Sequence, residues 1–151
     1  MNLKKKYMGN NLEELLVSVF DVISNFSEEE MSFKKNPKKW SKKEILGHLI
    51  DSGINNLQRF TEIQFVEKPY RIRNYEQNAL VKANDYQNSK TEELLNFWIS
   101  INKRIQKVIK LQTEETLNFK IQLDDETSID LRFLIEDYIS HIVHHLQQIK
   151  N

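Results

Sequence analysis

The segment Leu131-Arg132-Phe133-Leu134-Ile135-Glu136-Asp137-Tyr138-Ile139-Ser140-His141-Ile142-Val143-His144-His145-Leu146-Gln147-Gln148-Ile149-Lys150 contains neither glycine nor proline. Its apolar residues Leu131, Ile135, Tyr138, Ile142, Leu146 and Ile149 recur at spacings of three and four. That rhythm keeps them on one side of a helix, where successive residues advance about 100°. The spacing predicts a helix that starts near Thr127 or Ser128, runs to the last residue and turns this stripe to a core.

Three of the chain's four histidines lie in this helix, at 141, 144 and 145. Counting around the helix places His145 roughly 65° and His141 roughly 105° from the stripe centre, on the same flank. His144 falls roughly 165° away and should face solvent. An H-x-x-x-H pair puts two imidazoles one turn apart on one side. With a third imidazole from a packed neighbour they make a three-nitrogen site for a divalent metal, with coordination positions left over. Gln148 continues the same flank one turn on.

Working outward, the rest of the chain reads the same way. Three glycines and two prolines in 151 residues leave few helix breakers, which predicts an all-α single domain over residues 1–151. A first helix is expected from about Asn11 to Phe26, where Leu12, Leu15, Leu16, Val19, Phe20 and Ile23 give the i, i+3, i+4 rhythm. Ser27-Glu28-Glu29-Glu30 reads as a capping box for a short turn, and Lys34–Lys39 as a polar loop. A second helix opens at Trp40-Ser41-Lys42-Lys43-Glu44, with Ser41 as N-cap, and continues to about Val66. Residues 69–90 are irregular, with room for one short helix. A third helix begins at Ser89-Lys90-Thr91-Glu92, another capping-box pattern, and Leu94, Trp98, Ile101, Ile105 and Val108 form its bundle seam. Phe119, Ile121 and Leu123 alternate in a short extended piece. Trp98 and Tyr138, at seam spacings, read as core.

The fourth histidine, His48, lies roughly 160° from the apolar stripe of the second helix, so periodicity alone places it at the surface. It shares a polar strip with Glu44, Ser52, Asn55 and Arg59 that could line a cleft.

Acidic and basic residues balance at 22 each, which favours neither nucleic acid nor acidic ligands. The basic runs Lys4-Lys5-Lys6 and Lys34–Lys39 read as solvated loops. With no cysteine, disulfides, cysteine nucleophiles and thiolate metal sites are excluded, and thiol chemistry would need an external thiol. No apolar run has the length of a membrane span and no signal-peptide core stands at the N-terminus, so a cytoplasmic protein is expected.

Trp40-Ser41-Lys42-Lys43-Glu44-Ile45-Leu46-Gly47-His48-Leu49-Ile50-Asp51-Ser52, with Asn55 and Arg59-Phe60 after it, resembles the second helix of the DinB/YfiT-like superfamily. Tyr138 to Ile149 resembles its last helix. The resemblance implies a four-helix bundle with up-down-down-up connectivity and a long crossover between helices two and three. It implies one divalent metal, with His48 matching the first ligand, His141 the second and His145 the third, and it overrides the periodicity reading of His48. Members closest in pattern to YfiT include thiol-dependent S-transferases, which join a low-molecular-weight thiol to an electrophile.

Neutral imidazoles leave the metal a dication, able to favour thiolate over thiol or to activate water; they suit Zn, Ni, Fe or Mn. Glu44, Asp51 and Asp137 are candidate partners for imidazole N–H groups, and Asn55, Arg59 and Gln148 candidate cleft groups. The leading expectation is a metal-dependent transferase acting on a small molecule with a low-molecular-weight thiol, without nucleic acid or membrane partners. Alternatives are a non-catalytic, stress-related metal-binding or dimerising module, and a metal-dependent hydrolase. Exposed apolar positions also suggest a homodimer.

Overall fold

The structure, a computed structural model, describes residues 3–151, with side chains from Asn11 onward. Four long helices build it: α1 (Leu3–Ser24), α3 (Lys42–Glu62), α5 (Thr91–Lys110) and α7 (Leu131–Lys150). Between them lie α2 (Glu28–Ser32), α4 (Gln77–Ala83), a 3-10 turn at Tyr86–Asn88 and α6 (Glu114–Leu117). Three short strands, β1 (Tyr70–Arg71), β2 (Lys120–Gln122) and β3 (Ser128–Asp130), form one small sheet. In it β1 pairs parallel with β2, and β2 antiparallel with β3.

Contacts at the helix ends fix the connectivity. Lys42, at the start of α3, lies over the Phe26 ring just beyond α1, and its Nζ donates to the carbonyl of Ile149 at the end of α7. At the other end Gln64, beyond α3, donates to Gln112, beyond α5, at 2.9 Å. The directions are therefore up, down, down, up, and residues 63–90 form the crossover between the parallel helices α3 and α5. Trp98, Phe60, Leu49, Ile105, Ile109 and Ile135 fill the interior with essentially no exposure. No described helix is long and apolar enough to cross a membrane.

Several boundaries differ from the sequence expectation, each for a local reason. α1 begins at Leu3, so Lys4-Lys5-Lys6 lies in a helix and not a loop; the solvation of those side chains lies outside the described residues. α3 ends at Glu62, and the chain turns on through Val66, whose N–H still reaches the Glu62 carbonyl. Ser89 does not cap α5: its hydroxyl donates to the Asp85 carbonyl, while the Glu28 carboxylate accepts the Thr91 N–H at 2.8 Å. Residues 128–130 are strand, not helix, because Asp130 takes the N-cap of α7, accepting from the Phe133 N–H at 2.8 Å. The crossover carries a strand and a 3-10 turn besides its short helix.

That 3-10 turn is pinned to α3 at Gly47. A Cβ there would lie 2.1 Å from Cδ2 and 2.3 Å from Cγ of Tyr86. The missing side chain lets the Tyr86 ring press against the helix at Gly47, and its hydroxyl donates to Asp51 Oδ1 at 2.6 Å.

Candidate metal centre

Ser41 and Glu44 set the start of α3. The Ser41 hydroxyl accepts the Glu44 N–H, and the Glu44 carboxylate accepts the Ser41 N–H, both at 3.1 Å. The box leaves Trp40 just ahead of the helix, with its ring centroid 4.8 Å from that of His48. On α7, His141 and His145 lie one turn apart and face α3.

The three rings converge through their Nε2 atoms. His141 Nε2 is 3.1 Å from His48 Nε2 and 2.9 Å from His145 Nε2. One ligand atom from each histidine lies within 4.8 Å of the others. His48 and His145 are buried and His141 is half-buried. His144 is exposed and outside the group.

An outer contact sets the tautomer of His145. His145 Nδ1 is 2.7 Å from Gln148 Oε1, which can only accept, so the proton belongs on Nδ1 and the lone pair on Nε2 faces the cluster. His141 Nδ1 is 3.4 Å from the Ser52 hydroxyl. His48 Nδ1 is buried without a hydrogen-bond partner. Burial, then the neighbouring His145 and His141, push His48 down to about 4. Burial, then the neighbouring His145 and His144, push His141 down to about 4, and burial lowers His145. All three are held neutral, the form that binds a metal.

This donor set fits a divalent cation. Metal–nitrogen bonds of about 2.1 Å place adjacent nitrogens roughly 2.9–3.4 Å apart. Three lone pairs aimed at one point repel one another unless a cation or proton lies between them. An all-nitrogen set suits Zn, Ni, Fe or Mn and disfavours the oxygen-seeking Ca and Mg.

The other expected site residues divide. Gln148 touches His145, as described. Arg59 and Asp137 line a cavity of about 300 Å³ that reaches His141, together with Ser52, Asn56 and Tyr138. Asn55 lies outside that cavity and donates to the Asp51 carbonyl at 2.8 Å. Glu44 and Asp51 hydrogen-bond no imidazole among the described residues, contrary to expectation. Glu44 is committed to its cap and to Lys34 Nζ at 2.7 Å. Asp51 is turned to the crossover, accepting from Tyr86 and from Asn84 at 3.2 Å; burial raises its carboxyl pKa.

Sequence reasoning passed over Trp40, Asn56 and Tyr75. Trp40, placed only at the opening of the second helix, covers His48. Asn56 lies outside the polar strip of Glu44, Ser52, Asn55 and Arg59 yet lines the cavity; its place one turn beyond Ser52 is the available signal. Tyr75, in the irregular crossover, lines the cavity and carries the Arg59 guanidinium 5.5 Å above its ring. Nothing in the sequence marked it.

No curated protein matches the chain. YfiT from Bacillus subtilis, described as a probable metal-dependent hydrolase with an unusual four-helix bundle topology, has the same fold, with a TM-score of 0.87 over 99% of this chain and 86% of that one at 19% identity. The family model of the DinB superfamily matches residues 11–149. By that match the chain belongs to the DinB superfamily.

Proposed function

We propose that this protein holds one divalent metal on His48, His141 and His145 and joins a low-molecular-weight thiol to an electrophilic substrate. The observation that carries the reading is the convergence of three neutral Nε2 atoms at the end of a polar cavity, in a chain without cysteine. When bound, the dication supplies the Lewis acidity that favours thiolate over thiol.

The chain's own residues supply the rest. Gln148 holds the His145 tautomer, and Trp40 shields the far side of His48 from water. Arg59 offers N–H donors along the cavity and orients a polar substrate, while the Asn56 amide, donating to the Ser52 carbonyl, helps to hold Arg59 in place. Tyr138 walls it without donating into it, because its hydroxyl is given to Asn102 Oδ1 at 2.5 Å. No carboxylate hydrogen-bonds to the cluster among the described residues, and Asp137 is the acidic side chain on the cavity wall. So sparse a supply of base favours a nucleophile that needs none: on such a cation a thiol, about 8.5 when free, would be deprotonated outright, whereas water would come down only to about 7.

The description of YfiT favours a second reading, metal-dependent hydrolysis, with Asp137 as the proton acceptor. Untagged protein should carry about one divalent metal per chain. Metal-loaded protein should accelerate conjugation of a thiol such as bacillithiol or glutathione to a simple electrophile, and His141→Ala should abolish the acceleration. Metal-dependent ester or amide cleavage without conjugation would select the hydrolase. Metal binding with neither activity would select the non-catalytic module, and absence of metal binding would remove the reading altogether.

A further inference from the structure

Beside the cavity that reaches His141 lies a second one, of about 460 Å³, and the two share Arg59 and Asn74 in their walls. Arg59, Arg71 and Arg73 all line the second cavity. We propose that it is an oxyanion subsite, which holds a carboxylate or phosphate of the small molecule whose reactive end meets the histidines. The proposal rests on the functional reading above for that reactive end, but not for the anion site itself.

The chain as a whole carries no net charge, so three guanidiniums around one small cavity are a local segregation. The carboxylate in the same wall, Glu62, is already engaged. It accepts from the Tyr70 hydroxyl at 2.9 Å and from Gln58 at 2.8 Å. Arg71 has only a loose pairing, 3.8 Å from Asp125, with both side chains largely in solvent. Arg59 is anchored: it stacks over Tyr75, donates to the Arg73 carbonyl and lies 3.5 Å from Asn56 Oδ1. A guanidinium has five N–H donors in a planar fork, so these contacts leave donors free for an anion.

The wall is also held in place before any ligand arrives. Arg71 belongs to β1, in register with Gln122 of β2, and the next N–H, of Ile72, reaches the Gln122 carbonyl at 3.2 Å. Arg71 and Arg73 therefore project from a paired strand and its extension, and Arg59 from a helix. Planar forks carried on a fixed backbone at a shared cavity match a planar or tetrahedral oxyanion better than lysines would. The contiguity with the first cavity implies a ligand with its anionic group at one end and its reacting atom at the other.

The test is saturable binding of succinate and of inorganic phosphate to the full-length chain, by calorimetry and NMR titration, with and without added zinc. Arg71→Gln/Arg73→Gln removes two exposed forks and touches no core contact. It should weaken binding of the preferred anion by about tenfold or more, while zinc stoichiometry stays at that of the wild type. Preference for succinate identifies a carboxylate ligand and preference for phosphate a phosphorylated one. Equal binding by the double variant, or no saturable binding of either anion in the millimolar range, overturns the proposal. Because the anion titration also runs without metal, its failure is distinct from a failure of the histidine site to bind metal.

Discussion

Metal-free protein should lose stability as the pH falls from about 6.5 toward about 4, and His48 should account for much of the loss. A histidine of the unfolded chain titrates near 6.5; burial, and then the neighbouring imidazoles, push His48 in the fold down to about 4. Between those values the unfolded chain binds a proton that the folded chain refuses. Linkage then makes the stability full above the unfolded value and drains it as the pH drops through the folded one. A shift from 6.5 to about 4 corresponds to on the order of 3 kcal/mol for a side chain as deeply buried as His48. His141 is shifted in the same direction but is half-open to its cavity, where solvent screening makes its share smaller. Asp51 acts with the opposite sign: burial raises its pKa, so protonation on acidification favours the fold. The clean observable is therefore the difference between wild type and His48→Gln. Urea unfolding of chelator-treated protein, at pH steps from about 8 to about 4.5, should show a steeper slope in the wild type than in the variant, which keeps only the share of the remaining imidazoles. Identical profiles, or a wild type flat between about pH 7 and pH 5, would refute the argument that burial holds this ring neutral.

Two further outcomes follow from the same geometry. His48→Ala and His145→Ala should each remove most of the bound metal in elemental analysis, whereas His144→Ala should retain it, because His144 is exposed and outside the converging group. Gly47→Ala should be destabilising despite alanine's better helix propensity: the new Cβ would press on Cδ2 and Cγ of a buried tyrosine. About 1–3 kcal/mol of overpacking set against about 1 kcal/mol of propensity leaves a net loss, to be read from chemical denaturation.

The helices were legible because their signals are local. The seam of α5 and the stripe of α7 repeat the helical period without interruption, and the capping boxes at Ser27 and Ser41 form as their sequences predict. The third box pattern did not form, although Ser89 and Glu92 have the right spacing. Here Glu28 from α2 occupies the Thr91 N–H and the Ser89 hydroxyl turns to Asp85. A sequence pattern cannot register that competition, because the winning partner is 63 residues away. Residues 128–130 failed for a similar reason. Their strand exists only through pairing with β2, and the α7 cap then falls to Asp130.

His48 shows most clearly where periodicity stops. The angular count assumes one buried side and one wet side, but α3 from Ile45 to Gly53 is buried all the way round. α5 and α7 pack on it from within the bundle, while the crossover lays Tyr86 against Gly47 and Trp40, just ahead of α3, covers His48 on the side that the count assigns to water. A polar strip enclosed in that way cannot be a solvated face, so its groups must find partners. Asp51 finds Tyr86 and Asn84, Asn56 finds the Ser52 carbonyl, and His48 meets the imidazoles of α7. What looked like misplaced polarity on a surface helix is the inner lining of a site. The irregular crossover, the least readable part of the sequence, together with Trp40 ahead of α3, turns that helix face into an enclosed one.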